Sequence, residues 1–145
     1  MANPFELEIE EEINNFDILE PKATLFEEGG VSPTTIIRTN QDWRVQFEWK
    51  VDGSLNHIMA GNWILEVLLE KMGVGEYNLE DNTKKVPCES APYAYKDEIK
   101  FVAGKVPKGK YRLVASITFE GPLGVPGPIA CTGEGPLVTF YETAP

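Results

Sequence analysis

Residues that build catalytic and metal centres are scarce in this sequence. His57 is the only histidine in the chain, so a metal site with several histidine ligands is excluded. A catalytic triad would have to use this one residue, and although Ser54 lies in the same predicted loop, no serine has the G-x-S-x-G setting of a nucleophile elbow. Neither a phosphate-binding glycine loop nor another cofactor motif occurs. We therefore expect a protein that is not an enzyme and that uses no cofactor.

Long apolar runs are also absent. The longest apolar-rich stretch, NWILEVLLEKM, is interrupted by Glu66 and Glu70, so no membrane span is predicted. The start of the chain, MANPFELEIEEE, has neither the basic residues nor the apolar segment of a secretory signal. These features favour a cytoplasmic protein, although a secreted or surface protein whose signal had been removed would read the same way.

Basic residues are few relative to acidic ones. The formal net charge is −10, and residues 1 to 50 carry 11 acids against 4 bases. A surface rich in carboxylates repels phosphate backbones, and no basic stripe offsets it, so nucleic-acid binding is not expected. A basic partner or a cation is electrostatically allowed. No segment has the spacing of a calcium-binding loop, and a calcium site assembled from several loops stays open.

The clearest positive signal is a strict alternation of apolar and polar residues. In WRVQFEWKV, residues 43–51, every second residue is apolar, which predicts a strand with one buried and one solvated face. NWILEVLLE (62–70) and KYRLVASITFE (110–120) show the same period, and PLVTFYE (136–142) predicts a last strand. Weaker strand candidates lie at residues 23–27, 34–39, 76–79 and 98–103.

Short strands separated by Gly, Pro, Asn and Asp clusters predict an all-β fold, an antiparallel β-sandwich of seven to nine strands over residues 21–145. VPKGKYRLVASITF, residues 106–119, resembles the turn and penultimate strand of immunoglobulin-like and fibronectin type III modules. The resemblance implies that Tyr111 is the corner tyrosine and that Trp63 is the tryptophan of the third strand. Antibody domains also carry cysteines on the second and sixth strands, and this chain does not. The resemblance implies a superfold and no particular function.

Residues 1–20 form a separate acidic segment. As a strand, Phe5, Leu7 and Ile9 would alternate with glutamates; as a helix, Phe5, Ile9, Ile13 and Phe16 would share one stripe. We interpret the segment as an N-terminal arm or extra strand that docks on the sandwich or on another chain, and a short helix stays open.

Cys88 and Cys131 are the only cysteines. Strands that alternate in direction would bring the loop after residues 84–87 and the long connection EGPLGVPGPIACTGEGP (120–136) to the same end of the sandwich. A disulfide between the two cysteines is then allowed, and closing such a loop would stabilise by roughly 3–4 kcal/mol in the chain-entropy model. A cytosolic chain would instead keep both thiols reduced.

Two loops at that end carry apolar side chains, and rigid sandwiches commonly place recognition on such loops. The candidate interaction residues are His57, Ile58, Met59, Leu123, Val125 and Ile129. Alternatively, these loops cap the open end of the core. The outer face of the strand at 63–69, with Ile64 and Leu68, is a second candidate surface, for dimerisation or for cover by the N-terminal arm.

The sequence therefore predicts a non-enzymatic module that binds a protein partner or itself, through loops at one end or through a sheet face. The alternative is a small-ligand binder, with carbohydrate as one ligand class, in which exposed aromatic and polar groups contact the ligand. Its candidate contacts are Trp43, His57, Tyr93 and Tyr95.

Overall fold

The computed structural model describes residues 4–11, 17–27, 34–53, 60–89 and 94–142, and these form a β-sandwich. A smaller sheet has the order β1-β3-β5-β9, and a larger sheet has the order β2-β11-β10-β6-β7, with β4 beside β11 and β8 beside β6. The strands are β1 (Phe5–Glu6), β2 (Glu8–Glu11), β3 (Asp17–Glu27), β4 (Ile36–Arg38), β5 (Trp43–Asp52), β6 (Asn62–Lys71), β7 (Gly75–Tyr77), β8 (Thr83–Pro87), β9 (Ala94–Phe101), β10 (Gly109–Glu120) and β11 (Pro126–Tyr141).

The predicted all-β, antiparallel sandwich is confirmed. All strand pairs are antiparallel except β4 with β11. The eleven described strands are more than the seven to nine predicted, because pairs of short strands share one edge of a long strand. β2 and β4 pair with different parts of β11, and β7 and β8 pair with different parts of β6. In the described part of the chain, no helix is long and apolar enough to cross a membrane.

The core lies between the two sheets and follows the predicted alternation. The inward residues of β5, from Trp43 to Val51, are at most 3% exposed, and those of β6, from Trp63 to Leu69, are fully buried. Trp49 of the smaller sheet meets Trp63 of the larger sheet edge to face, with ring centroids 6.0 Å apart. Burying such side chains on both inner faces is the main stabilising term of a sandwich.

The resemblance to immunoglobulin-like modules also holds at Tyr111 and Trp63. The Tyr111 hydroxyl donates a hydrogen bond to the Pro107 carbonyl, 2.8 Å away and four residues upstream, which is the geometry of a tyrosine corner. Its ring is fully buried and packs edge to face on Phe140. Trp63 lies on β6, the third of the long strands after β3 and β5.

The interpretation of residues 120–136 as an irregular connection is wrong. β11 begins at Pro126 and runs to Tyr141 beside β10, so only residues 121–125 form the turn. Pro126 is tolerated because it is the first residue of the strand. Pro136 is tolerated because the register shifts there: Leu137 pairs with Arg112 and Glu134 with Val114, which leaves Pro136 in a bulge.

The N-terminal segment crosses from one sheet to the other. β1 pairs with β3 in the smaller sheet, and β2 pairs with β11 in the larger sheet. Leu7, between them, is buried, and its amide donates to the Pro21 carbonyl. We call residues 5–11 the N-terminal strap. The strap is extended, not helical, while Ile13 and Phe16 of the predicted helical stripe lie outside the described residues.

Two glycines of β11, Gly133 and Gly135, are required by this strap. A Cβ atom on Gly133 would lie 2.6 Å from the Glu6 carbonyl oxygen, and one on Gly135 would lie 2.7 Å from the Phe5 ring. Real Cβ atoms do not approach other atoms so closely. These glycines therefore allow the strap to lie against β11, and they do not mark a loop.

Gly133→Ala should lower the free energy of unfolding by about 1–3 kcal/mol, because the added methyl group overpacks against the Glu6 backbone. Gly121→Ala is the matched control, since its Cβ would meet only the Val125 oxygen at an ordinary 3.7 Å. Urea unfolding of both variants measures the effect. Equal stability of Gly133→Ala and wild type would show that the strap does not bind where the structure places it.

Candidate functional site

The strand ends that flank three connections lie at the end of the sandwich where β5 ends and β6 begins, which we call the loop end. The connections join β5 to β6, β8 to β9 and β10 to β11. The Cys88 amide donates to the Gly61 carbonyl, and a Cβ on Gly61 would collide with the Glu120 oxygen. The predicted proximity of the β5–β6 loop and the 120–125 segment is therefore confirmed at Gly61, while His57, Ile58 and Met59 lie outside the described residues.

The turn between β10 and β11 is short and held by its own backbone. The Gly121 amide donates to the Val125 carbonyl at 2.7 Å, and the Gly124 amide donates to the Gly121 carbonyl at 3.2 Å. Residues 122–124 form one turn of 3-10 helix. Within it, Leu123 has φ 68° and ψ 16°, a left-handed conformation that non-glycine residues rarely adopt.

Residues 122–126, which we call the apolar tip, point into solvent. Leu123 is fully exposed, Val125 is 62% exposed, and Pro122 and Pro126 are also exposed. Ile129, which we grouped with them, is 1% exposed because it lies within β11 on its inward side. The structure thus separates the predicted loop residues: Leu123 and Val125 are on the surface, and Ile129 belongs to the core.

The β6–β7 turn at the opposite end shows that exposed apolar side chains do not require a strained backbone. Met72 and Val74 are 50% and 77% exposed there. The positive φ angles in that turn fall on Gly73 and Gly75, where a side chain is absent. At the apolar tip, by contrast, the left-handed position carries a leucine whose side chain gains no burial.

A carboxylate supports the base of the apolar tip. The Lys85 ammonium donates to the Glu120 Oε1 atom at 2.8 Å, and the Asn62 side chain donates to the same oxygen at 3.3 Å. The hydrogen bond from Lys85 lowers the pKa of the Glu120 carboxyl; burial acts against this, and the Asn62 bond adds to it. This arrangement joins β10, β6 and β8 directly below the turn.

An aromatic cluster lies beneath the loop end. Tyr95 stacks on Trp49 with centroids 5.0 Å apart, and its hydroxyl donates to the Glu89 carbonyl and accepts from the Glu89 amide. Trp63 packs edge to face on Phe119 at 5.0 Å. The indole N–H of Trp49 is buried without a hydrogen-bond partner among the described residues. The cluster fixes the loop end to both sheets.

The cysteines are not joined. Cys131 lies inside β11, in register with Ile117, Leu65 and Lys84 on successive strands, and not in a loop as predicted. Cys88 lies beyond the end of β8, so strand spacings place the two about 19 Å apart. A disulfide needs Cα atoms within about 7 Å. Both are free thiols: Cys131 is buried, and burial raises the pKa of the half-buried Cys88.

The residues proposed to contact a small ligand differ in how exposed they are and in whether the structure describes them. Trp43 is 3% exposed, because it stacks on Phe101 at 4.1 Å and meets Phe140 edge to face. Tyr95 is half-buried in the aromatic cluster, and Tyr93 and His57 lie outside the described residues. A shallow depression of about 620 Å³ adjoins Trp43 at the opposite end, and its polar lining includes the Arg44–Glu98 ion pair of 3.0 Å.

Within the described ranges, no group of three His, Cys, Asp or Glu side chains could hold a metal ion. Glu66 and Glu70 lie on the outer side of β6, opposite to its buried residues, as the alternation of residues 62–70 predicts. Ser54 and His57, the weak catalytic pair, both fall outside the described residues.

Comparison with known proteins identifies the fold but no family. No protein-family model and no curated protein matches the sequence. The C-terminal domain of wzt is similar in structure, with a TM-score of 0.66 and 10% identity over 99% of this chain and 82% of that one. A likeness at this identity shows a common β-sandwich and does not transfer a function.

Two further solved structures have lower scores. The CARDB domain of a Pyrococcus furiosus protein, in complex with di-metal ions, has a TM-score of 0.48 and 11% identity over 91% of this chain and 99% of that one. A Niemann-Pick type C2 protein from the Japanese carpenter ant has a TM-score of 0.45 and 10% identity over 96% of both chains.

Glu120→Gln should destabilise the protein at neutral pH but not in acid. Because the pKa of Glu120 is lowered in the folded state, its carboxylate stabilises the fold above the ordinary glutamate pKa of about 4.3. This stabilisation is lost as the pH falls through the lowered value, so the variant and wild type should converge. Urea unfolding at several pH values measures this. Glu142→Gln, at an exposed position, is the control, and a difference that does not change with pH would contradict the assignment.

Two thiols should react with a thiol reagent when the protein is denatured without reductant. In the native protein only Cys88 should react, and slowly, because it is half-buried and its pKa is raised, whereas Cys131 is fully buried. Finding no reactive thiol after denaturation would show that the cysteines are bridged.

Proposed function

We propose that this chain is a β-sandwich module that binds a partner protein by inserting the apolar tip into an apolar pocket. The observation that carries the proposal is Leu123, whose side chain is fully exposed on a left-handed backbone. That backbone costs about 1 kcal/mol for a non-glycine residue, and the exposed side chain returns no burial energy. A residue that is unfavourable for folding at this position is expected to serve binding.

The surroundings of Leu123 suit recognition because they hold the side chain in place. Two backbone hydrogen bonds close the turn, and Pro122 and Pro126 limit its backbone freedom. The Glu120–Lys85 pair fixes the strand below it. A preorganised loop loses little conformational entropy on binding, so even a small apolar contact contributes to affinity.

The enzymatic alternative has no comparable support, and we propose a binding role without catalysis. The described residues offer no nucleophile with a base and an orienting group, while the large exposed apolar side chains described at the loop end are those of Leu123 and Val125, which carry no catalytic group. Their exposure is the property expected of a protein contact.

Leu123→Asn tests whether leucine at this position is unfavourable for folding. Asparagine tolerates the left-handed conformation, so the variant should be more stable than wild type by about 0.5–1 kcal/mol. Val74→Asn is the matched control, since Val74 is 77% exposed on a backbone without positive φ, and its stability should change by less than about 0.5 kcal/mol. A destabilised Leu123→Asn would show that the leucine serves folding.

A binding experiment tests whether the apolar tip contacts a partner protein. Immobilised wild type, Leu123→Asp and Val74→Asp are compared for proteins retained from a lysate of the source cells. A partner should be retained by wild type and by Val74→Asp and lost with Leu123→Asp. If every protein that wild type retains is also retained by Leu123→Asp, the apolar tip is not the binding site.

A further inference from the structure

The outer faces of the two sheets differ in how their charges are arranged. On the smaller sheet the outward charges lie in pairs: Lys22 with Glu48 at 3.3 Å, Lys96 with the same Glu48 at 3.7 Å, and Arg44 with Glu98 at 3.0 Å. Charges paired in this way are well solvated and leave little net potential. The smaller sheet therefore presents an electrically balanced surface.

The outer face of the larger sheet has an apolar centre instead. Leu68 of β6 lies directly opposite Val114 of β10, and Leu137 of β11 lies opposite Arg112, next along the strand. Leu68 is half-buried and Leu137 is 45% exposed. Val114 is only 9% exposed, so Leu68 and Leu137 are the apolar side chains that this centre presents to solvent, while the N-terminal strap pairs with the edge of β11.

Carboxylates outnumber bases beside this centre. Glu66, Glu70 and Glu76 form no ion pair among the described residues; Arg112 lies opposite Glu70 on β10 and is paired with Glu134 at 3.5 Å. Glu70 and Glu76 lie directly opposite each other on β6 and β7. Like charges in directly opposed positions destabilise a sheet, and Arg112 faces only Glu70 of this pair, so the position of Glu76 is unfavourable for folding.

We propose that this face, which we call the acidic face, docks a protein surface that carries Lys or Arg around an apolar centre. A cationic group seated between Glu70 and Glu76 would remove their repulsion, and the apolar side chains of the partner would cover Leu68 and Leu137. The acidic face is distinct from the apolar tip and does not depend on the function proposed for it.

Two properties argue against a second copy of this chain as the occupant. A two-fold contact through this face would add further carboxylates to those that already lack counterions. The face is about 20 Å on each side, on the order of 400 Å², from strand spacings. A stable dimer buries about 800 Å² on each partner. A transient, charge-selected contact fits better.

The probe is a blocked decapeptide of alternating lysine and valine, titrated into ¹⁵N-labelled protein at low ionic strength. Amide shifts should concentrate in residues 64–71, 75–77 and 112–116, and binding should weaken as salt is added. A Glu–Val peptide should not bind, and a Lys–Ser peptide, which lacks apolar groups, should bind at least threefold more weakly.

The double variant Glu70→Gln/Glu76→Gln should bind the Lys–Val peptide at least threefold more weakly while its melting temperature rises, because the opposed carboxylates are removed. Leu68→Gln should also weaken binding at least threefold. Glu80→Gln/Glu142→Gln removes the same charge from exposed positions elsewhere and should change binding by less than twofold. Leu123→Asp should leave peptide binding unchanged, which separates this proposal from that for the apolar tip.

Any of three results would overturn the proposal. The first is no shift at millimolar peptide, and the second is an equal loss of binding in the two double variants, which would indicate non-specific charge attraction. The third is concentration-dependent dimerisation in sedimentation that Leu68→Gln abolishes, which would assign the face to a second copy.

Discussion

The contact between Trp49 and Trp63 joins the two sheets at the loop end, and the candidate sites depend on it. Trp49 lies near the end of β5, and Trp63 is the second residue of β6. The edge-to-face pair therefore holds both strands near the point where the chain crosses from one sheet to the other. Trp63 also packs on Phe119, one residue before Glu120 and two before the turn that carries Leu123. The position of the apolar tip is therefore set by the packing of the core.

Two surfaces with different chemistry follow from this scaffold. The apolar tip is small and held by short-range backbone bonds, whereas the acidic face is broad and formed by side chains from several strands. They share one physical property: each contains a feature that is unfavourable for folding. At the tip the feature is a left-handed leucine, and on the face it is a pair of opposed glutamates. Features of this kind concentrate at functional sites, because binding and not folding compensates for them.

The N-terminal strap covers the edges of both sheets on one side of the sandwich. It spans the gap between β3 and β11 with Leu7 buried between the sheets, so the edges of both sheets are partly covered there. Covered edges resist pairing with other chains, and the glutamates of the strap add like-charge repulsion against self-association. On the other side of the sandwich, Lys84 of β8 reaches Asp97 of β9 at 2.6 Å and links the two sheets.

The sequence by itself determined the sandwich, because alternation of apolar and polar residues on a strand has a direct meaning: one face is buried and one is wet. It identified the inward faces of β5, β6 and β10, and the resemblance of residues 106–119 to immunoglobulin-like modules implied the corner role of Tyr111. It also located the exposed Leu123 and Val125, though not what distinguishes them. Only the tertiary structure decided the rest. The glycines of β11 look like loop residues until Phe5 and Leu7, more than a hundred positions away, are seen to lie against them. The buried position of Ile129, the separation of the cysteines, the left-handed backbone of Leu123 and the opposition of Glu70 to Glu76 all depend on strand register. Register is set by contacts between residues distant in sequence, which a local pattern does not contain.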